Sequence, residues 1–194
     1  MNLPSEKECF ELIKKMNMMS HIIDHSVMVA NVAFFICTEL KKKFPELDIN
    51  LATYAALLHD ITKTRSFDTK EFHSDTGGEL LTELGYPEIG DIIRQHVILD
   101  SYDWNLNNSN VTISEQEIVN YSDKRVLHDN VVLLEKRLEY IFTKYGTQKG
   151  FKDRIKIMWA NTIKLEEKIF YHLDIKPEQL PQNIKTKIKK ADGI

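Results

Sequence analysis

Apolar residues recur along this chain at three- and four-residue intervals, and the pattern predicts a succession of helices. Ser5 and Glu8 form a capping box that should open a helix running to about Met16. A longer helix is predicted over 22–43, with Val29, Val32, Ala33, Ile36 and Leu40 as its buried stripe. Phe44-Pro45 ends it, because proline disfavours helix at the residue before it. Asp48 then caps a helix through Leu51, Tyr54, Ala55 and Leu58. Residues 62–72 are polar and without period, and are predicted as loop. Helices are predicted over 75–84 and 87–98, the latter with Ile89, Ile92, Ile93 and Val97 apolar. The Asn/Ser/Asp-rich stretch 100–112 is predicted as loop. A second capping box, Ser114 with Glu117, opens a helix through Asp123, and two more follow over 131–145 and 152–173. No strand-like alternation and no internal repeat occurs, so the expected fold class is all-α. Residues 1–150 read as one domain, and 151–194 as a C-terminal helix packed on it plus a basic tail.

Composition narrows the class. The chain has 194 residues, 42% hydrophobic and 28% charged, the balance of a soluble globular protein able to bury a core. The longest nearly apolar stretch, Val27 to Cys37, is interrupted by Asn31 and falls short of the roughly 20 residues a membrane span needs. The N-terminus shows no signal-peptide pattern. Two cysteines, Cys9 and Cys37, lie outside any CxxC or Cys/His motif, which fits core residues in a reducing cytoplasm. The net charge of −3 is unevenly spread, since 151–194 carry ten basic and six acidic residues. The tail lysines Lys185, Lys187, Lys189 and Lys190 read as a solvated, frayed end. They lack the aromatic interleaving of a nucleic-acid arm, so no nucleic-acid partner is expected.

His59-Asp60 closes an apolar helix end, Ala55-Ala56-Leu57-Leu58. His25 lies upstream and His73, His96 and Asp123 downstream, on or near other predicted helices. Taken singly, such histidines are usually packed or solvated. Together, four imidazoles and two carboxylates are a donor set for divalent iron, manganese, zinc or similar ions, and the absence of cysteine argues against a structural zinc or iron–sulfur site. His21 shares a helix face with His25 and is read as a packing or solvent residue; His128 and His172 are read as surface residues. Asp24, Asp100 and Asp103 flank the candidates and are weak ones.

The segment Ala-Leu-Leu-His59-Asp60-Ile-Thr-Lys63, with His25-Ser26-x-x-Val-Ala before it and Ser-Asp123-Lys124 after it, resembles the HD superfamily of metal-dependent phosphohydrolases, its His-Asp-Ile-Gly-Lys subgroup above all. The segments His73-x-x-x-Gly77-Gly78-Glu-Leu-Leu-x-x-Leu-Gly85, Ile92-Ile93-Arg-Gln-His96 and Glu-x-Ile-Val-Asn-Tyr-Ser-Asp123-Lys124 extend the likeness over about residues 22–145. Thr62 stands where the subgroup has Gly and Ser122 where it has Ala; neither is expected to touch a ligand. Residues Asp103 to Asn105 match nothing in the pattern.

The resemblance implies an HD-type helical bundle. It implies one ion held by His25, His59, Asp60 and Asp123, and a second by His73 and His96 with Asp60 bridging. The implied activity is hydrolysis of a phosphate ester, in a nucleotide or related small molecule, by a metal-activated hydroxide, as a phosphomonoesterase or phosphodiesterase. Asp60 and Lys63 are the catalytic candidates. Lys63, Lys124 and Arg125 are expected to neutralise phosphate oxygens, and Gly77 to leave room for close packing or for substrate. Dinucleoside-polyphosphate hydrolases, nucleotidases and cyclic-dinucleotide phosphodiesterases are candidate classes, the last weakened because Val97, not a second histidine, follows His96. The alternative is a non-catalytic sensor that binds metal or nucleotide. Ile155, Met158, Trp159, Thr162, Ile169 and Phe170 on the last helix are expected to pack on the core, with a homodimer face as the sharper reading.

Overall fold

The computed structural model of the protein describes residues 2–103, 111–146 and 151–190. They form α1 (Glu6–Lys15), α2 (Ser20–Leu40), α3 (Ile49–Leu58), α4 (Lys63–Thr69), α5 (His73–Glu83), α6 (Pro87–Gln95), α7 (Glu115–Lys124), α8 (Leu134–Tyr145), α9 (Phe151–Tyr171) and α10 (Leu180–Asn183). A two-stranded hairpin, β1 (Val126–Leu127) with β2 (Asn130–Val131), sits between α7 and α8. Among the described residues the protein is all-α apart from this hairpin.

Both predicted capping boxes form. Ser5 and Ser114 each accept from the backbone N–H three residues on, while Glu8 and Glu117 reach back to the cap. Asp48 accepts from the N–H groups of Asn50 and Leu51, again as predicted. These caps satisfy donors that a helix start leaves unpaired.

At the centre, α2 packs against α3 and α7, and α3 also packs against α6 and α7. By length and composition α2 could cross a membrane, but 61% of its apolar window is buried inside the bundle, and Asn31 on it makes a specific polar clamp. Helices α5 and α6 form the tightest pair. Gly78 makes this possible, since a Cβ there would lie 2.7 Å from the Gly90 carbonyl oxygen.

The structure departs from the predicted elements at several places, among them the short helix α10 beyond the last predicted one. Residues 63–69 are helical rather than loop, ending at Lys70 in the left-handed region at φ 62°. Residues 126–131 form the hairpin where helix was expected from 131. The basic tail is docked up to residue 190: Ile188 is buried, the Asn31 side chain accepts from the N–H groups of Lys187 and Ile188 and donates to the Ile188 carbonyl, and Lys190 pairs with Ser20 and Asp24. Of the unplaced 103–105 segment, Trp104 and Asn105 lie outside the described residues.

Candidate metal centre

Helix α3 ends at Leu58, and the chain then turns tightly, with Ile61 N–H donating to the Leu58 carbonyl and Lys63 N–H to the Asp60 carbonyl. That turn buries His59 and Asp60 completely. Around them stand His25 from the first half of α2, His73 at the start of α5, His96 just past α6 and Asp123 near the end of α7. All six predicted ligand residues therefore converge, from five parts of the chain.

Their donor atoms lie close together. His25 Nε2 lies 3.1 Å from Asp123 Oδ1, and His59 Nε2 lies 3.8 Å from the same oxygen. His59 Nε2 is 3.4 Å from Asp60 Oδ2. On the other side of that carboxylate, Asp60 Oδ1 is 3.2 Å from His73 Nε2 and 3.8 Å from His96 Nε2. Ligand atoms of His25, His59 and Asp60 all lie within 4.8 Å of one another, as do those of Asp60, His73 and His96.

Backbone carbonyls orient three of the rings. Nδ1 of His25 donates to the His128 carbonyl at 2.8 Å, Nδ1 of His59 to Ala56 at 2.7 Å, and Nδ1 of His96 to Ile93 at 2.6 Å. Each bond fixes the tautomer and leaves the Nε2 lone pair facing inward, as metal-bound histidines require. Two buried atoms at the focus, His59 Nε2 and Asp60 Oδ1, have no hydrogen-bond partner among the described residues. An unpaired buried polar atom is costly, and two of them in an imidazole and carboxylate set fit divalent cations.

The electrostatics agree. Burial opposes charge on Asp60, but Lys63 and His59 outweigh it and hold its carboxyl well below the usual range. Asp123 is likewise held low, against its burial, by Lys124, His25 and Arg137. Burial, with His59 and His73 nearby, pushes His96 well below the usual imidazole range, and burial also lowers His25. Burial disfavours protonated His59 too, yet the Asp60 and Asp123 charges raise it. Low-titrating carboxylates and the lowered imidazoles of His25 and His96 are ligand forms that bind metal.

The predicted phosphate-contacting residues divide. Lys63 stands beside the site: its ammonium is 2.7 Å from Asp60 Oδ2 and its side chain remains 27% exposed. Lys124 is buried, donating to the His96 carbonyl and to Asp123 Oδ2, both at 2.9 Å, so it braces two ligands instead of facing substrate. Arg125 is fully buried and spent on Tyr121, Glu166 and the carbonyls of Val132 and Pro177, tying α7 to α9. Gly77 is a packing position: a Cβ there would meet Ile93 Cγ2 at 3.0 Å and Thr62 Oγ1 at 3.4 Å.

Thr62, expected to touch no ligand, donates from Oγ1 to the His73 carbonyl at 2.9 Å and so helps seat α5. Two further contributors carry no motif. One is the His128 backbone carbonyl, presented by the hairpin at φ 56°. The other is Arg137 of α8, whose Nη2 lies 3.5 Å from Asp123 Oδ1. His21 is exposed, Asp24 pairs with Lys190, and Asp100 is taken by Arg94.

Residues 22–175 match the family model described as the HD domain. The chain is 31% identical over 78 residues to an uncharacterised protein of Methanocaldococcus jannaschii, covering 40% of this chain and 45% of that one. It is 30% identical over 96 residues to a tRNA (cytidine(56)-2'-O)-methyltransferase of Thermoplasma volcanium, covering 49% of this chain and 26% of that one. The chain thus spans less than half the length of either relative. No solved structure matches significantly. A family match across most of the chain, coinciding with convergence of the His and Asp residues that carry the motif, shows that this protein belongs to the HD domain family, the superfamily of metal-dependent phosphohydrolases.

Proposed function

We propose that the protein hydrolyses a phosphate ester of a nucleotide or related small molecule at a two-ion centre. One observation supports this above the others: the two oxygens of Asp60 face different histidine sets, Oδ2 toward His59 and Oδ1 toward His73 and His96. His25, His59, Asp60 and Asp123 would hold one ion; Asp60, His73 and His96 would hold the other. A carboxylate can bridge two cations and offset their repulsion, which an imidazole cannot do. Bound divalent ions supply Lewis acidity and bring the pKa of coordinated water from 15.7 toward about 7.

The chain's own residues do the rest. The carbonyls of His128, Ala56 and Ile93 keep three imidazoles in register, so little reorganisation accompanies reaction. Lys124 holds Asp123 and the His96 backbone together. Lys63, partly exposed beside Asp60, can offer its ammonium to a phosphate oxygen. The presence of all six ligand residues in one cluster favours catalysis over a purely sensory role.

The test is to quantify bound metal in the purified protein and screen nucleotides and simple phosphoesters with wild type and Asp60→Ala. Metal-dependent turnover that disappears in the variant is expected. Activity surviving the substitution overturns the reading.

A further inference from the structure

We propose that Arg137 of α8 is a substrate-binding residue that contacts phosphate oxygens, and that with Lys63 it makes the site prefer a doubly charged phosphoryl group over a phosphodiester. This rests on the reading of the cluster as a phosphoester-binding metal centre.

Arg137 is placed as a donor with unused capacity. Its side chain is only 12% exposed, and its nearest carboxylate contact, Nη2 to Asp123 Oδ1, is long at 3.5 Å. Its Nε is buried without a hydrogen-bond partner among the described residues. The guanidinium lies over the Tyr140 ring at 5.8 Å, which limits its freedom. Asp123 already has a nearer cation, since the Lys124 ammonium stands 2.9 Å from that carboxylate. A buried guanidinium N–H left unpaired is costly unless a ligand completes it, and the planar fork of arginine matches two phosphate oxygens.

The charge balance points to the ligand class. Asp60 and Asp123 face three cations, Lys63, Lys124 and Arg137, from α4, α7 and α8. Lys124 is buried behind Asp123, so Lys63 and Arg137 balance the two carboxylates, and divalent ions, when bound, would make the lining cationic. A diester carries one negative charge. A phosphomonoester or the terminal phosphoryl of a polyphosphate carries close to two at neutral pH, and its extra oxygen can accept from Arg137.

The test uses the full chain loaded with Mn²⁺. Inorganic phosphate is titrated calorimetrically into wild type, Arg137→Ala and Arg137→Lys, with bound metal measured in each. Arg137→Ala should weaken phosphate binding about ten- to a hundred-fold at unchanged metal content. Arg137→Lys, which keeps the charge without the fork, should recover part of the loss and serves if the alanine variant folds poorly. Wild type should turn over p-nitrophenyl phosphate with higher kcat/KM than bis(p-nitrophenyl) phosphate, and Arg137→Ala should narrow that ratio. Unchanged phosphate affinity, metal lost in parallel with affinity, or a wild type that favours the diester overturns the inference. If wild type hydrolyses no ester yet Arg137 governs phosphate binding, the hydrolase reading falls and this one stands.

Discussion

His25 and His128 are joined by a hydrogen bond from the His25 imidazole Nδ1 to the His128 backbone carbonyl, 2.8 Å long. The exposed His128 side chain is not what holds the site; the hairpin geometry is. His128 sits at φ 56°, a region glycine occupies without strain and β-branched residues resist. His128→Gly should therefore keep metal content and activity. His128→Val should lose about 1–2 kcal/mol of stability, by denaturant titration, together with metal affinity. Loss of metal in the glycine variant would show that the imidazole itself is needed.

Arg125 separates a structural role from a substrate role. Its guanidinium is buried among Tyr121, Glu166 and two carbonyls, so Arg125→Met leaves Glu166 uncompensated. The expected cost is about 3–5 kcal/mol, read by urea unfolding. A variant of full stability with impaired phosphate binding would return Arg125 to the site.

The α5–α6 contact has no room at Gly78. A Cβ there would lie 2.7 Å from a backbone oxygen, which cannot rotate away. Gly78→Ala should destabilise the protein by about 1–3 kcal/mol and, by shifting α5, loosen His73. Thermal unfolding and metal content report the two effects separately.

These positions show what was legible in the sequence. The capping boxes at Ser5 and Ser114 and the cap at Asp48 are local patterns, and the helices they open form as predicted. The six His and Asp residues that cluster here stand out in the sequence because a metal site needs those side chains and the motif spacing is specific. Helix α4 gives no sequence signal, because its six polar residues and the lone Phe67 show no period and no side-chain cap. The hairpin has two-residue strands, too short to alternate. Lys124 and Arg125 adjoin Asp123 in sequence, which is why a phosphate-contacting role is expected of them from sequence alone. Consecutive helical residues point about 100° apart, so sharing a motif did not mean sharing a face. Arg137 had no motif, and only the docking of α8 turns it toward Asp123. The His128 carbonyl is a backbone group, for which side-chain patterns give no signal.

Acid should unfold the metal-free protein through the site. The carboxyls of Asp60 and Asp123 ionise at lower pH when folded than when unfolded. Their contribution is present above the unfolded value of about 4 and is lost as pH falls from there through the folded values. The stability of the apo chain should drop steeply below about pH 4, and Asp123→Asn should flatten that limb. Equal slopes in the two proteins would count against this assignment.

Asp60 is proposed to join two metal-binding sets. Metal stoichiometry by elemental analysis, on wild type, His73→Ala and Asp60→Ala, tests it most directly. Two ions per chain in wild type, one in His73→Ala and neither held tightly in Asp60→Ala is the predicted result. A single ion in wild type that His73→Ala leaves in place would contradict it.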